Sequence, residues 1–412
     1  MKTTKRRWLL ALLIFILTIS ASSVGVTQTT RDKWLQPFAS TSIWNMPIGA
    51  NAVYVPAGLQ NAQSTGVDIN LLYKVSANSP ERPIYDPASW ERRASGSAVA
   101  DPNRRKTMPI PDNLIVPDAL PPDTPNNASA FLLPDGKTLV QINPLARTRI
   151  GGPVYGWVTP DISIYGDGIL GGHGGSGLSS IGGTIRLNEL TGIAPIRHAL
   201  QLQVWAKKYL SYNNDATRGY RWPAVTADDY ASSSYLGTNP ALEMGALLAL
   251  PPSVTAASLT LQTNIGRKLF KALQDYGGYI VDDTNWDAHA ISVEAGVEAE
   301  VAVTGYTFEQ GSGALHDDLN ELFRALAVVN NNSAATIGGG GTPRQPLAPP
   351  ISPASAGHLI PCPWAFYGAD GYSQTHFVSP EILNLPALPR PRECCLPTLL
   401  RPVAACHGLS QV

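Results

Sequence analysis

The chain has 412 residues, 44% of them hydrophobic and 15% charged, with 37 glycines and 35 prolines. This composition supports a sizeable core with many turns, and it excludes wholesale disorder, collagen and coiled coil. The formal net charge is −1, and without the first 23 residues 26 basic residues face 31 acidic ones. The chain therefore lacks the basic surface that nucleic-acid binding needs, and we expect no nucleic-acid partner.

The N-terminus has the pattern of a targeting segment. Residues 1–7 are basic, residues 8–19 are almost entirely apolar, and residues 20–23 are small. This order predicts a secretory signal peptide over residues 1–23. A membrane anchor is the alternative, but the apolar run is shorter than the ~20 residues that a spanning helix needs. We therefore expect a secreted, extracellular protein with no stable membrane anchor.

The predicted elements divide the rest of the chain into three regions. Residues 24–137 are loop-rich, with many prolines between 76 and 128, and are expected to pack on the core. Residues 346–412 form a Pro-rich C-terminal tail that contains all four cysteines. A core domain over residues 138–345, free of cysteine, cannot depend on disulfides or thiolate–metal sites.

Within that core domain, strands are expected at 138–142, 154–158, 198–205, 247–250, 259–263, 279–281 and 288–293. Residues 198–205 alternate most clearly, with His198, Leu200, Leu202 and Val204 on one face and Gln201, Gln203 and Trp205 on the other. Apolar residues at helical spacing predict helices at 265–276 and 315–329. The fold class predicted is a β-rich α+β protein with a β-sandwich-like core and two late helices packed on it.

A glycine cluster over residues 166–183 surrounds His173. It contains one G-x-G-x-x-G, at Gly166, Gly168 and Gly171, but no helix is expected after it, so a dinucleotide site is disfavoured. The chain also has no G-x-S-x-G elbow, which excludes an α/β-hydrolase. Two interpretations stay open: a tight turn near strand ends, or a glycine-lined site in which His173 binds substrate or exchanges protons.

A second cluster contains Asp283, Asn285, Asp287 and Glu294, at the spacing of EF-hand ligands one, three, five and twelve. Ala288 stands where that loop needs glycine, and the preceding residues favour a strand. We therefore predict a β-hairpin with acids at its tip. Asp283, Asn285 and Asp287 are a candidate structural Ca²⁺ site, and no other cofactor is expected.

The same acids are candidates for acid–base chemistry. Asp282 and Asp283 are neighbours on a predicted strand, so their side chains point to opposite faces and cannot form one pair. A pair therefore needs an acid from elsewhere. Asp283 is the first choice, with Glu294 or Glu243 as partner and His173 as a substrate-orienting donor. The alternative is that these acids only solvate a turn.

Aromatic and planar polar side chains between residues 203 and 222 suit a sugar ring, which has an apolar face and hydroxyl edges. The candidate substrate-binding residues are Gln203, Trp205, Arg218, Tyr220, Arg221 and Trp222. Ordinary surface packing is the alternative interpretation.

These features together favour a secreted carbohydrate-active enzyme that acts on an extracellular polysaccharide, specifically a glycoside hydrolase with paired carboxylates. One alternative is a polysaccharide lyase that uses His198, Tyr220, Arg218 and Arg221. Another is a non-catalytic extracellular protein that binds carbohydrate or has a structural role at the surface.

Overall fold

The computed structural model describes residues 30–90, 104–120, 125–213, 218–308 and 311–352, all within one compact unit that ends at Pro353. The strands are β1 (Tyr54–Pro56), β2 (Ser64–Lys74), β3 (Glu81–Tyr85), β4 (Arg104–Pro109), β5 (Ser129–Leu132), β6 (Thr138–Ala146), β7 (Val154–Val158), β8 (Ile162–Ser163), β9 (Leu200–Val204), β10 (Leu247–Ala249), β11 (Gly278–Asp283), β12 (Ala288–Glu294) and β13 (Ala327–Val329). The helices are α1 (Ala206–Tyr209), α2 (Ala231–Ser234), α3 (Asn264–Asp275), α4 (Val297–Val303) and α5 (Ala314–Ala325).

The strands form one continuous hydrogen-bonded path. Their order is β1-β13-β10-β11-β9-β12-β2-β5-β6-β7-β3-β4, and β8 pairs with β6. The long strand β2 connects the two halves, because residues 64–70 pair with β12 and residues 71–74 pair with β5. The predicted β-rich α+β class is confirmed. The finer prediction, a sandwich-like arrangement of the core, stays a prediction.

The connection between β11 and β12 differs from the predicted hairpin. β11 runs parallel to β9, and β12 runs antiparallel to it, so β9 lies between them. Residues 284–287 therefore cross over the end of β9, where the amide of Thr284 donates to the carbonyl of Val204 at 3.2 Å. The hairpin prediction is wrong because an earlier strand has inserted between two strands that are neighbours in sequence.

One face of the central strands packs against helices. Leu200, Leu202 and Val204 of β9 belong to a buried cluster that also contains Leu269 of α3 and Leu319 of α5. This confirms the alternation predicted for β9 and the two late helices. The sequence prediction was wrong at two places. Residues 327–329 form β13 rather than the end of a helix, and residues 259–263 form no strand in the described structure.

An aromatic segment near the N-terminus, residues 34–44, covers part of the face of the sheet that is opposite to the helices. Trp34, Phe38 and Trp44 share a buried cluster with Tyr279 of β11, and the Trp44 and Tyr279 rings meet edge to face at 5.4 Å. Trp44 also donates from Nε1 to the carbonyl of Gly168 at 2.7 Å. The glycine cluster therefore packs against the indole ring of Trp44. A Cβ on Gly182 would lie 2.3 Å from that ring, so only glycine fits there.

The body extends past the predicted start of the tail at residue 346. The backbone of Arg31 pairs with Pro350 and Ser352, and the Arg344 guanidinium donates to the carbonyl of Gln274 at 2.7 Å. The predicted signal peptide and the cysteine-containing part of the tail lie outside the described residues. Among the described helices, none has the length and apolarity needed to cross a membrane.

Candidate functional site

Polar side chains line the face of β2, β9, β11 and β12 that is turned away from α3 and α5. Gln203 donates from Nε2 to Oδ2 of Asp68 at 2.7 Å, and Asn70 donates from Nδ2 to Oε1 of Gln201 at 2.7 Å. In the strand register Asp282 lies opposite Gln203. Burial of polar groups is costly unless they are hydrogen-bonded. This sheet face is therefore a polar surface whose side chains are held in place by hydrogen bonds to one another.

The glycine cluster places His173 over this polar face. The backbone of His173 is fixed in a tight turn, since its amide donates to Leu178 and its carbonyl accepts from Gly177. The ring is 2% exposed, and its Nε2 lies 2.8 Å from Oε1 of Gln201. Its Nδ1 lies 3.8 Å from Oδ2 of Asp282. His173 therefore contacts the protein on both edges of the ring, and one of those edges faces a carboxylate.

Two carboxylates meet beside Gly175 in the same turn. A Cβ atom placed on Gly175 would lie 2.8 Å from Oδ1 of Asp282 and 3.3 Å from Oδ2 of Asp228. Those two oxygens are therefore no more than about 6 Å apart, the sum of the two distances. The amide of Val225 donates to the carbonyl of Ser176 at 2.9 Å, which ties the segment that carries Asp228 to the turn.

The proton affinity of Asp228 is set by its surroundings. Burial, and then the charge of Asp282, raise the pKa of Asp228 to about 7. The Tyr235 hydroxyl opposes this shift by donating to Oδ2 of Asp228 at 2.6 Å. Burial also raises the pKa of Asp68, against the lowering effect of His173. With a pKa of about 7, a large fraction of Asp228 is protonated near neutral pH.

Asp283, the first-choice acid from the sequence, has a different set of contacts. Its Oδ1 accepts the amides of Ala206 and Asn285, both at 2.8 Å, and its Oδ2 accepts the Tyr230 hydroxyl at 3.1 Å. Burial raises its pKa. The side chain thus holds the start of α1 and the 284–287 turn, as local backbone bonding by Asp commonly does.

The other two predicted acids are bound elsewhere. Glu294 pairs with Arg186, whose Nε lies 2.8 Å from Oε2 and whose guanidinium lies over the Trp34 ring. Glu243 is 6% exposed and accepts from Nδ2 of Asn213 at 2.8 Å. The structure therefore brings His173 together with Asp282 and Asp228, in place of the expected group of Asp283, Glu294 and Glu243.

The predicted sugar-binding segment borders this site on one side. Tyr220 forms a β-bridge with Met244, whose methyl carbon lies 2.9 Å from the position of a Cβ on Gly175. Arg221 donates to the carbonyls of Ala241 and Asn330.

The other predicted binding residues differ in their surroundings. Trp222 and Trp205 are partly buried against hydrophobic clusters, and Arg218 is exposed. Trp205 departs from the predicted strand face because it follows β9 and is the N-cap residue of α1. Of the predicted set, Gln203 lies on the polar face itself.

Two of the candidate Ca²⁺ ligands, Asp283 and Asp287, have contacts with other protein groups. The Asp283 oxygens accept the three hydrogen bonds given above, and Oδ1 of Asp287 lies 3.9 Å from Nζ of Lys208. In the part of the chain that the structure describes, no group of three or more His, Cys, Asp or Glu side chains is arranged to hold a metal ion. The Ca²⁺ site stays a prediction.

Sequence reasoning missed Asp68, Asn70, Asp228 and Tyr235. Asp68 and Asn70 had a detectable signal, since Val67 and Ile69 alternate with them along β2. Asp228 lies in a turn-rich segment before α2, where no periodicity marks it. A comparison with known protein families, curated proteins and solved structures found no match. The site is therefore interpreted from its own geometry.

Proposed function

We propose that the protein is a secreted glycoside hydrolase that cleaves an extracellular polysaccharide with Asp228 and Asp282 as its paired carboxylates. The observation that carries this proposal is the meeting of the two carboxylates beside Gly175, with oxygens no more than about 6 Å apart. Retaining glycosidases hold their carboxyl groups about 5–5.5 Å apart, and inverting enzymes about 6.5–9.5 Å. The upper bound of about 6 Å for these two oxygens lies below the inverting range.

The two acids then take different roles. Asp228, with a pKa raised to about 7, donates its proton to the glycosidic oxygen as the bond to the leaving sugar breaks. An ionised Asp282 attacks the anomeric carbon and forms a glycosyl ester. Asp228, now ionised, takes a proton from water as that water attacks the same carbon and releases Asp282.

Exposed aromatic side chains beside the acids support a sugar ligand. Tyr230, which donates to Asp283, is 44% exposed, and Trp286 in the 284–287 connection is 62% exposed. Aromatic faces pack well on the apolar face of a pyranose ring. These two residues extend the binding surface that the sequence assigned to residues 203–222.

The charge of the site favours a neutral polysaccharide over an acidic one. The charge of Asp282 contributes to the raised pKa values of Asp68, Asp228 and Asp283, so all three of these acids lie near it. Such a site would repel the uronates that polysaccharide lyases take as substrate. A purely sugar-binding protein needs the aromatic surface but has no use for a buried acid with a raised pKa.

A panel of neutral and acidic polysaccharides, assayed for reducing ends and for absorbance at 235 nm, tests the proposal. We expect reducing ends from a neutral substrate, and a loss of about 10²–10⁴-fold in Asp228→Asn and Asp282→Asn. Asp229→Asn, which changes an exposed neighbour, is the matched control and should keep full activity. Unsaturated products would instead identify a lyase, and saturable binding without products would identify a binding protein.

A further inference from the structure

The amide of Gln201 has one possible orientation. Its Nε2 donates to the carbonyls of Ser179 and Gly182, the first at 2.7 Å. Backbone carbonyls only accept hydrogen bonds, so the nitrogen of this amide must face them. Its Oε1 is therefore the atom that faces Asn70 and His173, and an amide oxygen can only accept. The side chain is fully buried, so this orientation is fixed by the fold.

This orientation determines where His173 carries its proton. Nε2 of His173 lies 2.8 Å from Oε1 of Gln201, and a hydrogen bond between them requires a hydrogen on Nε2. Nδ2 of Asn70 also lies 3.5 Å from this nitrogen, but its two hydrogens are donated to Thr184 and Gln201, both at 2.7 Å. A neutral imidazole carries one N–H, so its Nδ1 is unprotonated. Nδ1 is then the only ring atom that can gain or lose a proton. It lies 3.8 Å from Oδ2 of Asp282, and the nearby His173 ring also lowers the pKa of Asp68 against the effect of burial.

We infer that Gln201 is a positioning residue that fixes the hydrogen on Nε2 of His173, so that the titrating proton of this histidine is carried by Nδ1, facing Asp282. With that proton bound, the ring and the carboxylate form an ion pair. Its role in hydrolysis rests on the proposed function: the ring orients the Asp282 carboxylate for attack, with its Nδ1 edge 3.8 Å from Oδ2. Because the His173 ring is buried, it acts through Asp282 rather than on the sugar.

The experiment is ¹⁵N NMR of the full chain labelled at histidine, with the His173 signals assigned by their loss in His173→Gln. In the wild type we expect Nε2 to remain protonated throughout a pH titration, while Nδ1 makes the large shift of a nitrogen that gains a proton and Nε2 only a small one. In Gln201→Met the neutral ring should populate both tautomers. Gln203→Met is the matched control, because Gln203 lies in the same strand but donates to Asp68 and Ser292.

A neutral wild-type ring with its hydrogen on Nδ1 would overturn the inference, and that measurement holds even if Gln201→Met fails to fold. Equal tautomer populations in Gln201→Met and the wild type would also overturn it. The readout needs no substrate, so a chain with the expected tautomer but no glycosidase activity would refute the proposed function alone. Activity together with the opposite tautomer would refute this inference alone.

Discussion

The Tyr235 hydroxyl donates a 2.6 Å hydrogen bond to Oδ2 of Asp228 from a side chain that is only 3% exposed. Burial, and then the charge of Asp228, raise the pKa of Tyr235, so its hydroxyl keeps its hydrogen. The bond stabilises the ionised form of Asp228 and so opposes the effect of burial. Tyr235 thus limits how far the pKa of this acid rises.

Replacement of Tyr235 by Phe should raise the pKa of Asp228 above about 7. A hydrogen bond to a charged group contributes about 1.5–3 kcal/mol, which corresponds to a shift of roughly one to two pKa units. The alkaline limb of the pH–activity profile, or of a ¹³C titration of Asp228, should move to higher pH by that amount. Tyr165→Phe, at an exposed position, should leave it in place. A limb that moves to lower pH would contradict the prediction.

The raised pKa of Asp228 also predicts how stability depends on pH. Because the folded pKa lies above the ordinary value of 3.8, this group contributes stability below about pH 4 that is lost as pH rises through about 7. Asp228→Asn removes this loss, so relative to the wild type it should gain stability between pH 4 and 8, by no more than about 4 kcal/mol. Urea denaturation at several pH values measures the gain. The prediction would be refuted if the stability of Asp228→Asn depended on pH in the same way as that of the wild type and of the Asp229→Asn control.

Glu294 should prove to be a structural residue. Its partner Arg186 is buried, and breaking a buried pair by removing one charge costs about 3–5 kcal/mol. Glu294→Gln should therefore lower the free energy of unfolding by about 3 kcal/mol, with the activity per folded molecule unchanged. Asp112→Asn breaks the exposed pair with Arg82 and should cost less than about 1 kcal/mol. A fully stable but inactive Glu294→Gln variant would restore the catalytic role predicted from the sequence.

The part of the chain after residue 352 should be dispensable for stability. A chain that ends at Ser352 keeps the backbone pairing with Arg31 and the contacts of Arg344, and should melt at the wild-type temperature. A chain that ends at Thr342 loses at least four hydrogen bonds of about 1 kcal/mol each, and should melt more than about 5 °C lower. Calorimetry on both truncations decides this. Equal melting temperatures would show that residues 343–352 contribute nothing.

Local periodicity explains which elements the sequence predicts well. The alternation around Leu200 and Leu202, and the apolar spacing of α3 and α5, depend only on near neighbours in the chain. The site depends on more than near neighbours, because Asp68 and Asp228 come from distant segments of the chain that each approach Asp282. The sequence places His173 near the acids of β11. It does not show that Asp282, rather than Asp283, would turn toward the ring, since that choice depends on the β-bulge between β11 and β9.

The insertion of β9 between β11 and β12 has a consequence for local opening. In a hairpin, the two strands that flank a turn can separate and rejoin without disturbing the rest of the sheet. Here β11 and β12 each pair with β9 and not with each other, so neither can separate without breaking hydrogen bonds of β9, which carries Gln203 opposite Asp282. The amides of β9 should therefore exchange with solvent through global unfolding, and the site should be among the slowest parts of the molecule to exchange.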